Sequence, residues 1–189
     1  MKFFTRLLAL LCLSPLLFAA SGSPVGARKP IICTTSCAVG GLRIGEYAII
    51  IKGADTARVN NTSAADPDLV FTGLVAGGLY VIDENIRYNI GVAAAGFTFN
   101  NNLGTASITE RFGYVVTQCN AANNQTLVSS GAVANNICTA VTGTVIDYVH
   151  EYILINAGGS YAFSWAQSTT NASATTLKLN STMTITRLK

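Results

Sequence analysis

The stretch LYVIDENIRYNI, residues 79–90, alternates with a period of two. Tyr80, Ile82, Ile86, Tyr88 and Ile90 fall on one side, and Asp83, Asn85, Arg87 and Asn89 on the other. Successive side chains of an extended chain point to opposite faces, so this pattern predicts a half-buried β-strand. Glu84 breaks it by falling among the apolar residues. A buried carboxylate needs a partner, and Arg43, Arg111 and Arg187 are candidates; a strand edge open to water is the alternative.

The same reading extends along the chain. GEYAIIIKG (45–53) is a short apolar run bounded by glycines, and DLVFTGL (68–74) follows the turn-prone NNTSAADP. RFGYVVTQ (111–118) places Phe112, Tyr114 and Val116 on one side, and VIDYVHEYILI (145–155) is apolar on both sides in places. YILINAGGSYAFSWAQ (152–167) reads as a hairpin whose turn, Asn156 to Ser160, contains Gly158 and Gly159, residues suited to positive φ. On its return strand Tyr161, Phe163 and Trp165 share a face opposite Ala162, Ser164 and Ala166. After the polar connection STTNASATT, a last strand places Leu177, Leu179, Met183 and Ile185 opposite Lys178, Asn180, Thr182, Thr184 and Thr186. No window outside the first residues shows a sustained helical stripe, so the expected fold is all-β, an antiparallel jelly-roll sandwich.

Residues 1–27 read as a cleavable signal peptide and processing region. Lys2 and Arg6 precede an apolar stretch from Leu7 to Ala20, then small residues with cleavage positions after Ser21 or Ala27. The apolar run is short for a membrane span, so no membrane attachment is expected once it is removed; a retained anchor is the rival reading. Residues 28–44 form an N-terminal arm containing CTTSC, and residues 45–189 the sandwich domain. The chain is 189 residues long, 50% hydrophobic and 11% charged, which is ample for one packed core. Of its twelve basic residues two leave with the leader, so ten face nine acidic ones. With no basic run remaining, nucleic-acid binding has no electrostatic support.

Cys33, Cys37, Cys119 and Cys138 remain after the leader, an even number in an exported chain, which predicts disulfides with three possible connectivities; Cys33–Cys37 with Cys119–Cys138 is favoured because each pair closes a local loop. A four-thiolate metal site fits the spacing poorly, so no metal or cofactor is expected. His150 is the single histidine; its neighbour Glu151 points to the opposite face of a strand and cannot easily orient it. With no G-x-S-x-G motif present, no catalytic residues and no enzymatic activity are expected. Asp66 and Asp68 in ADPD read as turn chemistry rather than calcium ligands. Sequons at Asn60, Asn61, Asn124, Asn171 and Asn180 mark expected surface segments.

The aromatic strand ending in WAQ, the Asn/Ser/Thr-rich loop and the final LKLNSTMTITRL resemble the C-terminal signature of small jelly rolls in phage tail-fibre and head-fibre proteins. These belong to the tumour necrosis factor-like and complement-like group. NTSAADPDLVFTGLVAGGLYVIDENIRYN (61–89) resembles the group's early strand, loop and first long strand, and the likeness spans roughly residues 45–188. Phage fibre domains normally lack a signal peptide and rarely carry two disulfides, which points towards an exported cellular relative. The resemblance implies a homotrimer packed through a sheet face that includes the last strand. Tyr161, Phe163, Trp165, Leu177, Leu179, Met183 and Ile185 are the candidates for core or trimer interface. Two functions follow as expectations: a secreted structural protein that self-assembles into a fibre, filament or surface layer, or a module whose loops recognise a surface glycan or receptor.

Overall fold

The computed structural model describes residues 29–102, 104–117, 124–128, 136–138 and 142–189. Among them the chain forms β1 (Ile31–Cys33), β2 (Cys37–Ala38), β3 (Tyr47–Ile51), β4 (Thr56–Arg58) and β5 (Ala64–Leu74). Next come β6 (Leu79–Ile90), β7 (Phe97–Asn102), β8 (Ser107–Thr117), β9 (Asn124–Val128) and β10 (Asn136–Cys138). The C-terminal part contributes β11 (Gly143–Ala157), β12 (Gly159–Ala166), β13 (Thr175–Leu177) and β14 (Thr182–Arg187). The described residues contain no helix.

Two mixed sheets pack face to face as a β-sandwich. The larger runs β1-β3-β14-β6-β11-β8-β9, with β13 beside β6 and β4 beside β13; the smaller runs β10-β7-β12-β5-β2. Pairing is antiparallel except for β1 with β3 and β2 with β5. The alternation of residues 79–90 appears as expected: Tyr80, Ile82, Ile86, Tyr88 and Ile90 are fully buried, and Glu84 is buried among them. In the core Tyr88 stacks on Phe97 at 3.8 Å, and Phe97 lies 5.6 Å from Trp165, while Phe99 lies 5.3 Å from Phe163. Aromatic rings at such separations supply much of the buried apolar surface.

Three local expectations require correction. Residues 152–167 are not a hairpin: β11 pairs with β6 and β8 in the larger sheet, β12 with β5 and β7 in the smaller. The chain crosses between the layers at Gly158, so both flanking strands can bury their apolar faces in one core. Gly158 is also not a positive-φ residue. A side chain there would meet the Leu74 carbonyl oxygen at 2.5 Å, so close backbone approach excludes a Cβ. The run from Leu177 to Ile185 is not one strand either. Asn180 adopts φ 63°, and the break between β13 and β14 leaves Leu179 43% exposed. Asparagine tolerates the left-handed conformation better than most residues.

At the sandwich edge, β1 belongs to the larger sheet and β2 to the smaller. The disulfide Cys33–Cys37, with Cα atoms 5.7 Å apart, therefore links the two layers. Cys138 is buried and also disulfide-bonded. Cys119, like the leader 1–27, lies outside the described residues. No helix among the described residues is long and apolar enough to cross a membrane.

Candidate interaction face and buried polar network

Strand register orders the outer face of the larger sheet into three rows. Tyr47, Thr186, Val81, Tyr152 and Phe112 form one row across β3, β14, β6, β11 and β8. Ile49, Thr184, Asp83, His150 and Tyr114 form the next, and Ile51, Thr182, Asn85, Tyr148 and Val116 the third. The face thus carries two isoleucines and Tyr47 at β3, is threonine-lined at β14 and is mainly aromatic at β11 and β8. Phe112 is 53% exposed, Tyr47 40% and Tyr148 37%, an unusual concentration of aromatic surface for a sheet facing water.

These aromatic side chains pack on one another. Phe112 and Tyr152 stack at 4.7 Å with an interplanar angle of 8°. His150 lies 5.3 Å from Tyr114 and 5.1 Å from Tyr152, and Tyr114 lies 6.2 Å from Tyr148. Asp83, cross-strand from His150, receives the Tyr148 hydroxyl at 2.8 Å and contacts His150 Nδ1 at 2.6 Å. An ionised carboxylate only accepts hydrogen bonds, so in this pair Nδ1 carries the proton. Burial, then the Asp83 hydrogen bond and charge, pushes the Tyr148 hydroxyl up to about 12.

Glu151 does point away from His150, as the strand period requires: it is fully buried on the inner face. The orienting carboxylate for His150 comes instead from β6, a partnership that sequence spacing does not reveal. Among the described residues His150 has a carboxylate partner, and its hydrogen bond goes to no serine, threonine or cysteine hydroxyl or thiol.

Inside the sandwich, Arg111 on β8 pairs with Glu151 on β11. Tyr161 on β12 bridges the layers, its hydroxyl contacting Glu84 at 2.9 Å and also Glu151. Arg111 is thus the arginine of the Glu84 environment, and its charge is favoured by Glu151 and Glu84 against the cost of desolvation. Burial, with the charges of Glu151 and Glu84, raises the Tyr161 hydroxyl well above the ordinary tyrosine range. Tyr88 is likewise raised, first by burial and then by the neighbouring Asp147 carboxylate. Gly113, cross-strand from Glu151, makes room for this network, since a Cβ there would come within 2.1 Å of the His150 carbonyl oxygen.

A second buried charge group joins the sheets near their edge. Lys52, at the end of β3, is fully buried and contacts Asp66 at 2.9 and 3.1 Å and Asp68 at 2.9 Å. ADPD is therefore part of β5 and holds a lysine, where turn chemistry was expected. Only the uninterrupted apolar run before Lys52 signals its burial in the sequence.

Among the remaining candidates, Tyr161, Phe163, Trp165, Leu177, Met183 and Ile185 are all buried, and Leu179 is exposed. No cluster of three or more His, Cys, Asp or Glu suited to a metal ion occurs among the described residues. No family model matches the chain, and no curated protein matches it either.

Proposed function

We propose that the protein is a secreted structural component, a jelly roll exported by its N-terminal leader that assembles as a homotrimer within an extracellular fibre, filament or surface layer. The observation that carries this reading is the outer face of the larger sheet. Its aromatic half, Phe112, Tyr114, Tyr148, His150 and Tyr152, lies across the threonine stripe from the aliphatic half, Ile49 and Ile51, with Tyr47 at the end of the same strand. Packing the aromatic half of one copy on the aliphatic half of the next buries both, and a threefold rotation closes the ring. The face includes β14, as the fibre-domain resemblance implies. Chain crossings between the sheets, such as β5 to β6 and β11 to β12, support the jelly-roll reading. The role is assembly rather than catalysis, because His150 faces aromatic rings and a carboxylate rather than an activated nucleophile.

Light scattering on the purified chain at micromolar concentration tests this reading. A mass three times that of the protomer is expected, and a monomer mass overturns it. Electron microscopy of the native material should then show the trimer in a larger assembly.

A further inference from the structure

We propose that Lys52 and Asp66 become joined by an intramolecular amide bond, formed by the folded chain itself with Asp68 as the proton carrier. The group has the parts such a reaction needs. The nucleophile is the Lys52 amine, whose Nζ lies 2.9 Å from Asp66 Oδ1 and 3.1 Å from Oδ2, opposite the carboxyl group. Both side chains are fully buried. The acyl group is held by two donors: the Asp68 backbone N–H at 3.1 Å from Oδ1 and the Trp165 indole N–H at 3.3 Å from Oδ2. Donors at both oxygens polarise the carboxyl and would stabilise an oxyanion formed there.

Asp68 completes the group. Its Oδ2 lies 2.9 Å from Nζ, and its side chain is 23% exposed, so it connects the buried pair with water. β5 delivers both carboxylates to one lysine because Asp66 and Asp68, two residues apart on the strand, share a face, in the stretch where its pairing with β12 is irregular between Val70 and Ala65. The Arg58 guanidinium stacks over the Trp165 ring at 4.5 Å and interacts with Asp66, adding positive charge on the acyl side.

The step balances without an oxidant or co-reactant. The Lys52 ammonium gives a proton to Asp66, leaving an amine and a carboxylic acid in a site closed to bulk water. The amine attacks the carboxyl carbon, after rotation of the Asp66 carboxyl to present its face, and forms the C–N bond. Asp68 takes the second proton from nitrogen and returns it to the departing hydroxyl. The C–O bond breaks and one water leaves on the exposed Asp68 side. Proximity makes this practicable: reacting groups held in near-attack geometry reach effective molarities of about 10⁵ M or more. An amide also removes two charges from an interior where an ion pair is costly. The bond would tie β3 of the larger sheet to β5 of the smaller, near the edge where Cys33–Cys37 already joins the layers.

Tryptic mapping of the purified full chain after reduction decides the matter. The amide blocks cleavage at Lys52, so one branched peptide joining residues 44–58 to 59–87, lighter than their sum by one water, is expected. Lys52→Arg should yield only linear peptides. Asp68→Asn, recovered as soluble folded protein, should show the linear 59–87 peptide and cleavage after Lys52. Quantitative recovery of linear, unmodified peptides from the wild-type chain overturns the bond. Full linkage in Asp68→Asn overturns the role given to Asp68.

Discussion

His150 on β11 and Asp83 on β6 are cross-strand partners on the outer face of the larger sheet, with Nδ1 2.6 Å from Oδ1. The same oxygen accepts the Tyr148 hydroxyl at 2.8 Å, so one carboxylate fixes two rings of the aromatic half. Tyr148 has a folded-state pKa raised to about 12, first by burial and then by Asp83. Its contribution to stability is therefore complete below the unfolded tyrosine value of about 10 and is lost as pH rises through about 12. Ultraviolet titration comparing wild type with Tyr148→Phe should assign one late-ionising phenol to Tyr148, and Asp83→Asn should bring its ionisation to lower pH.

Charge on the aromatic face should separate assembly from folding. Phe112 is 53% exposed, so Phe112→Asp leaves the core intact while placing an unpaired carboxylate in the proposed interface. Monomers with native circular dichroism are expected from light scattering and spectroscopy of this variant. Ile185→Asp, by contrast, puts the charge in a fully buried position and should unfold the domain.

The buried network should be costly to break from either side. Arg111→Met leaves Glu151 without its ion-pair partner and should destabilise by about 3–5 kcal/mol. Tyr161→Phe removes the hydroxyl that contacts both Glu84 and Glu151 and should cost about 1–3 kcal/mol. Urea denaturation followed by circular dichroism measures both.

Gly113→Ala should weaken the β8–β11 pairing, because the new methyl would meet the His150 carbonyl oxygen at 2.1 Å. A loss of roughly 1–3 kcal/mol is expected in the same denaturation experiment. An unchanged midpoint would show that β8 can move without cost.

Peptide mapping without reduction should recover Cys33 linked to Cys37 and Cys138 linked to Cys119. Free thiols at all four positions would contradict both the leader and the oxidising compartment it implies.

Alternation along the chain already shows that it is built of strands and which side chains share a face. Alternation is a local property of extended backbone, so Tyr80 to Ile90, Phe112 to Val116 and Tyr161 to Trp165 could be sorted before any partner strand was known. It did not determine which face meets the core. Phe112 is as apolar as Phe163, yet only the packing of the smaller sheet on the larger sends Phe163 inward, while β8 turns Phe112 outward. Nor could spacing show that residues 152–167 cross between sheets, since the pairing of β11 and β12 is settled by distant strands. The charged contacts belong wholly to tertiary structure: Arg111 and Glu151 are 40 residues apart, Asp83 and His150 are 67 apart, and Lys52 meets Asp66 across two layers. Such pairs form because burying one charge demands another, and the fold alone decides which is within reach.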